Sequence, residues 1–309
     1  MGGGSWDPNA WKTASKATRG RSVSENFTAR KIDSTLDPKN IRVRESRDSE
    51  AHPNSLAVIL AGDVTGSMGM CANVIIQKGL GLTMEALLAE KDKGYDPQIM
   101  VAGIGDFLYD KSPLQLTQFE TEVGPMVEQT QKIFIEGGGG GNNTESYDGI
   151  WLAGAMLTSI DCFEKRKKKG YIFTIGDERA PRVLTKEDLL SKAGISVEDD
   201  VASKDALEMA ERTYNVFHVI VAEGSHARYS GIDVVKASWL PLLGQRVLIL
   251  NKLDDLAEVI VSAIRINEGE NAEDVIGAWS GGTAVTVREA VKGMTPAAKS
   301  SGGLTRLGA

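Results

Sequence analysis

The residues best suited to chemistry lie in LAGDVTGSMGM, which follows an apolar run. Asp63, Thr65 and Ser67 alternate there, and alternate spacing in an extended turn sends all three side chains to one side. Gly66 and Gly69 allow a tight path and close approach. One carboxylate with two hydroxyls suits a hard divalent cation, Mg2+ above all, with Mn2+ or Ca2+ as alternatives. Two further loops carry oxygen ligands. EGGGGGNNTESYDG holds Thr144, with Asn142 and Asn143 as alternative oxygen donors. TIGDERAP places Asp177 at the end of an apolar run. Any one of these alone reads as a turn or a helix cap. Three in order, the first and third directly after candidate strands, point to a metal site. The glycine run lacks the Gly-Lys-Ser/Thr ending of a phosphate loop.

Such loops need a frame that brings strand ends together. Apolar runs at 55–62, 97–105, 171–176, 216–222 and 246–250 alternate with amphipathic stretches at 70–89, 123–134, 145–160, 185–193, 203–213, 232–243 and 253–266. The run 113–120 alternates as an antiparallel edge strand would. The rhythm predicts an α/β fold. We expect a Rossmann-like, doubly wound, mostly parallel six-stranded sheet with helices on both faces and one antiparallel edge strand. In such a sheet, ligands bind beyond the carboxyl ends of the strands, where the three loops fall.

The segment DVTGSMG resembles the D-x-[ST]-x-S motif of von Willebrand factor A domains, whose metal-ion-dependent adhesion site also draws on a Thr in a second loop and an Asp in a third. The resemblance covers about two-thirds of the chain and is nearest to bacterial and alpha-kinase-associated members. These share the D-x-T-G-S-M start, an Asp ending the second strand (here Asp106), and a glycine-rich loop followed by Glu. It implies that Asp63, Thr65, Ser67 and Thr144 contact the metal or its waters, and that Asp177 holds it through water. It also implies a binding protein rather than an enzyme, with a partner's carboxylate completing the Mg2+, and an adaptor role that in intracellular relatives often runs beside a separate AAA+ ATPase. Gly176 stands where the family often has Thr, which removes a hydroxyl.

Two rival functions remain open. The Asp63 and Asp177 placements also fit a haloacid dehalogenase-like phosphohydrolase, but the general acid expected two residues after the nucleophile is Thr65 here. A structural or assembly protein could instead use the domain as a scaffold and oligomerise through its ends.

Composition bounds the rest. The 309 residues carry a formal charge of −7, which argues against a nucleic-acid binder. Cys71 and Cys162 read as buried thiols in a reducing compartment, and His52, His218 and His226 are too scattered for zinc. No run is long enough to span a membrane, and MGGGSWDPNAW is no secretory leader, so the expectation is a cytoplasmic protein. The basic run EKRKKKG at 164–170 reads as a solvated helix end. The expected division is an extended N-terminal arm at 1–54, the A-type domain at 55–267, and short helices with a flexible tail at 268–309. The ends hold few apolar runs and are expected to be dispensable for folding, with Trp6 and Trp11 as anchors of the arm.

Overall fold

The computed structural model describes residues 4–90, 94–136 and 144–297, apart from the side chain of Ser67. Its centre is a mixed six-stranded sheet. We number the strands β1 (Ser55–Asp63), β2 (Asp96–Ile104), β3 (Leu114–Leu116), β4 (Gly170–Gly176), β5 (Tyr214–Val221) and β6 (Val247–Leu250). Their spatial order is β6-β5-β4-β1-β2-β3. All neighbours are parallel except β3, which runs antiparallel to β2 at the edge. The edge strand is shorter than the alternating run from 113 to 120 suggests, because only Leu114–Leu116 completes the ladder.

β1 reads as an unbroken apolar run because both of its faces are covered. Leu56, Val58 and Leu60 pack on one side with Ile75, Leu80, Met84 and Ile260. Ala57, Ile59 and Ala61 pack on the other with Ile150, Trp151 and Trp239. This split follows from the two-residue side-chain period of a strand. The first face is served by a helical run from Gly69 to Ala89 with a π turn at Ile75–Gly79, and by the helix Leu256–Asn267. The second is served by the helices Asp148–Met156, Ser203–Ala210 and Ile232–Leu243. The helix expected over 145–160 stops at Met156. Thr158–Ile160 instead forms a short parallel strand with Arg44–Ser46, because the preceding segment supplies the ladder partners and Thr158 and Ile160 are β-branched.

The N-terminal segment departs from the extended arm expected of it. Pro8–Thr18 is an 11-residue helix, capped by Asp7 and with Pro at its start. Its Trp11 is nearly buried, and Phe27 and Leu36 complete its hold on the β1 face. Trp6 lies 5.5 Å from Trp11, ring to ring. Trp11 presses on the helix Leu80–Ala89 at Gly81, where a Cβ would fall 1.8 Å from the indole nitrogen, so glycine is what lets the ring seat.

The C-terminal helices Ala272–Gly277 and Gly281–Ala290 also reach the core, through Val275, Ile276, Val287 and Val291. Just past the expected boundary at 267, Glu268 receives hydrogen bonds from Tyr95 (2.9 Å), Lys168 (2.6 Å) and Tyr171. The Lys168 and Tyr171 interactions help hold its carboxyl below the usual glutamate range, against the opposing effect of burial. These contacts run against the expectation that the ends are dispensable. Residues 298–309, the expected tail, lie outside the described residues. Cys71 and Cys162 are free and buried, as expected. Among the described residues no helix is long and apolar enough to cross a membrane.

Both ends are therefore expected to contribute to stability. Trp11→Ala should cost about 3 kcal/mol in urea unfolding. A chain cut to 55–267 should lose several times that, at about 1.5–3 kcal/mol for each buried apolar side chain exposed. Equal midpoints for the cut and full chains would show that the ends only rest on the surface.

Candidate functional site at the strand ends

The strand order reverses between β1 and β4, which opens a crevice beyond their carboxyl ends. Gly62 pairs with Ile175 in the parallel ladder, so Asp63 and Asp177 leave adjacent strands almost side by side. Two isolated parallel bridges bind the second loop to the others, Thr65 with Glu136 and Thr144 with Arg179. Between them, residues 137–143, including Asn142 and Asn143, lie outside the described residues. The side chain of Ser67 does too; its backbone sits in the 3-10 turn Gly66–Met68.

Asp63 is fully buried. Its Oδ1 accepts the Thr65 amide at 2.8 Å and the Thr65 hydroxyl at 2.7 Å. Burial, and after it the nearby Asp177 and Glu178 carboxylates, raise its carboxyl to about 7 against the pull of those two bonds. The Thr65 hydroxyl also lies 3.1 Å from Glu145 Oε1. Glu145 is 3 % exposed, and its Oε2 is buried with no hydrogen-bond partner. Burial, then Asp63, Asp106 and Asp110, raise its carboxyl strongly. Asp177 Oδ2 accepts the His226 amide at 2.7 Å, at the start of the short helix Ser225–Ser230. Burial raises Asp177 while that amide and the Ala227 amide oppose the shift. Glu178 is raised to about 7 by burial and by Asp177. His226 Nδ1 lies 3.4 Å from Glu178. Burial lowers that imidazole, so the contact is not an ion pair at neutral pH.

The structure thus gathers Asp63, Thr65 and Asp177. Thr144 is brought alongside Arg179 through its backbone and is half-buried. Glu145, the next residue, sends its carboxylate to Thr65. Sequence reasoning did not single out Glu145: in the run Asn142 to Glu145 every side chain carries an oxygen, and only the loop's path decides which turns inward. Asp106 lies further out, its Oδ1 accepting the Leu108 amide at 2.7 Å. Glycine at position 176 has a physical reason. A Cβ there would stand 2.0 Å from the Tyr147 hydroxyl, and that hydroxyl lies 3.5 Å from Asp63 Oδ2. The Tyr147 ring from the second loop occupies the space that a side chain at position 176 would need. His218 is a core residue, buried, bonded to Thr174 at 2.8 Å and stacked 3.6 Å from Trp239.

Whether these residues fit a cation turns on their charge. No lysine or arginine among the described residues forms an ion pair with Asp63, Glu145 or Asp177. Buried carboxylates without a counter-charge are costly and otherwise hold protons. The donors are all oxygen, which is what Mg2+, Mn2+ and Ca2+ prefer, and the orphaned Glu145 Oε2 has no other partner. Among the described residues no group of three or more Asp, Glu, His or Cys side chains is placed to hold a metal ion by itself. The set is open, one carboxylate with a hydroxyl and further carboxylates around it, and it fits a partly coordinated divalent ion.

No protein-family model matches the chain, and no curated protein matches it in sequence. Among solved structures it is similar to the pilus adhesin SpaC from Lactobacillus rhamnosus GG in its open conformation. That match has 12% identity and a TM-score of 0.44 over 75% of this chain and 31% of the adhesin. A second form of that adhesin gives the same identity and TM-score over 32% of its length. Proximal thread matrix protein 1 of the mussel byssus matches at 9% identity and a TM-score of 0.36, over 67% of this chain and 46% of that one. The chain thus spans about a third of the adhesin it matches. Likenesses this loose assign no function.

A buried acid just behind the site gives a test free of any metal. Asp148 opens the helix Asp148–Met156 and accepts the Ser203 hydroxyl at 2.6 Å. Burial raises its carboxyl from 3.8 to about 7. Below 3.8 the group is protonated in both the folded and unfolded chains. Between 3.8 and about 7 the unfolded chain releases the proton and the folded chain keeps it, so stability falls as pH rises through that window. Asp148→Asn removes the effect and can still accept from Ser203. The variant's advantage in melting temperature should be near zero at the acid end of that window and grow to a plateau above it, worth roughly a few kcal/mol at most. A constant offset across the window would show that Asp148 is ionised in the folded protein.

Proposed function

We propose that the chain is a von Willebrand factor A-type domain of Rossmann-like, doubly wound form. It would bind a protein partner through a divalent cation at the Asp63 site, and act as an adaptor or assembly factor rather than an enzyme. The observation that supports this most directly is the buried Asp63 carboxylate at the end of a central strand, with the Thr65 hydroxyl on it and Glu145 and Asp177 around it, lacking a lysine or arginine counter-charge among the described residues. A bound Mg2+, Mn2+ or Ca2+ would supply a concentrated positive charge with coordination positions left for a carboxylate of the partner.

Asp63 would be the principal charged ligand, with Thr65, Ser67 and the second loop beside it. In that loop we place Glu145 as a ligand together with or in place of Thr144, since its carboxylate already reaches Thr65. Asp177 would act at one remove, through water, held in place by the His226 amide. Tyr147 keeps its hydroxyl at the edge of Asp63 and shields the site from the core side. A separate AAA+ ATPase remains a candidate partner by resemblance alone, and nucleic acid and membrane are not expected partners.

Calorimetric titration with MgCl2 and MnCl2 is the test. Wild type should bind, and Asp63→Asn should show no heat. Glu145→Gln should weaken binding about tenfold or more, since it removes a charge from a site that must dehydrate the ion. Thr144→Ala should have a smaller effect. Melting temperature should rise with the ion in wild type and stay flat in Asp63→Asn. No ion-dependent heat or melting shift in wild type would overturn the reading.

A further inference from the structure

A groove of about 900 Å³ opens directly beside the site. Thr144, Glu145 and Asp106 form its inner end, and the segment from Arg179 to Thr185 forms one wall. We propose that this groove seats an acidic peptide segment of a partner protein, with carboxylates interleaved among aliphatic side chains. The inference rests on reading the Asp63 cluster as a carboxylate-binding cation site. It adds which segment of the partner delivers that carboxylate and what holds the segment on either side.

The groove's walls are apolar and open. Leu108, Val183 and Val234 line it while 60%, 54% and 46% exposed. Scattered exposed apolar residues need no explanation, but several on one concave surface mark an interaction site. A pocket for a small molecule would bury its walls more fully, whereas an extended chain lies across such a surface and covers it.

The charge in the groove selects the occupant. At the inner end Glu145 belongs to the cation site; the other two acidic residues of the lining have partners. Asp188 accepts the Thr185 hydroxyl at 2.8 Å and faces Lys192 at 3.3 Å, and Asp106 accepts the Leu108 amide. Arg179 and Arg182 are exposed, line the groove and make no ion pair among the described residues. Lys204 pairs with Glu208 at 3.6 Å and is itself well exposed. Away from the Asp63 end, the unpaired charge along the groove wall is therefore that of the two arginines, on a chain whose formal charge is −7. Arginine's fork pairs bidentately with carboxylates. One acidic side chain would enter the Asp63 end while another meets Arg179 or Arg182. Two arginines and a lysine on a net-negative protein are too narrow a basic surface for nucleic acid or an anionic membrane.

The test starts from a random peptide library displayed on phage, selected on the full-length protein in MgCl2 and counter-selected on an R179E/R182E variant. The enriched peptides should carry at least two Asp or Glu among Leu, Ile or Val. A selected peptide, labelled for fluorescence polarisation, should bind R179E/R182E about tenfold or more weakly. It should also bind V183D more weakly, and the form with its acids amidated should lose binding. Both sites of substitution are exposed, and melting temperatures would verify folding; V183D alone carries the test if the double variant fails to fold. Binding lost in R179E/R182E but indifferent to EDTA and to Asp63→Asn would uphold the groove and refute the cation site. Binding lost with EDTA but unchanged in R179E/R182E and V183D would overturn the groove and leave the cation site standing. No enrichment, enrichment of basic or purely apolar peptides, or arginine-dependent binding only to phosphatidylserine vesicles would also overturn it.

Discussion

Negative charge brought out of water without a counter-ion is the constraint to which the rest of this molecule answers. Asp63 and Glu145 are buried within reach of one hydroxyl, Asp177 leaves the adjacent strand, and none has a lysine or arginine partner among the described residues. Each is tolerable only because the protein supplies something in place of water. For Asp63 it is an amide, a hydroxyl and a phenol; for Asp177 it is the first amides of a short helix. Glu145 is left with one oxygen unanswered. Carboxylates in such a state bind protons or cations. The sheet forces the issue, since parallel strands in register end at one level and deliver their next residues into one crevice.

The frame is built to hold that crevice rigid. Every residue of β1 is buried, with a separate apolar cluster on each face. The ends of the chain are part of this construction. Trp11 and Phe27 come from before the sheet, and Val275, Ile276 and Val287 from after it, yet all join the cluster on the same face. At the opposite end of the sheet from the crevice, Glu268 ties Tyr95, Lys168 and Tyr171 together.

The strands and their order of appearance were legible because both faces of the sheet are buried, so each strand writes an apolar run flanked by turn residues. Asp63, Thr65 and Asp177 were legible for the same reason, being pinned to strand ends by register. What escaped was set by tertiary contact. The helix Pro8–Thr18 has a polar composition and shows its purpose only when Trp11 meets Gly81. The strand Thr158–Ile160 exists because Arg44–Ser46 lies beside it. Glu145 was hidden among oxygen-bearing neighbours, since a loop has no periodicity to say which side chain faces in. The close approach of Tyr147 to Gly176 links residues 29 apart in the chain, and no local pattern announces it.

The arrangement of aromatic rings has an optical consequence. The five tryptophans fall into two groups. Trp6, Trp11 and Trp279 pack against the face that holds the chain ends. Trp151 and Trp239 are fully buried on the other face, 6.0 Å apart, with Trp239 stacked on His218 and donating to the Glu178 carbonyl at 3.0 Å. Tyr147 bridges this second group to Asp63. The molecule therefore carries two intrinsic fluorophores of separate address. One senses solvent reaching the terminal helices. The other lies next to the crevice's carboxylates through Tyr147, so a charge entering there would change its surroundings and not those of the first group.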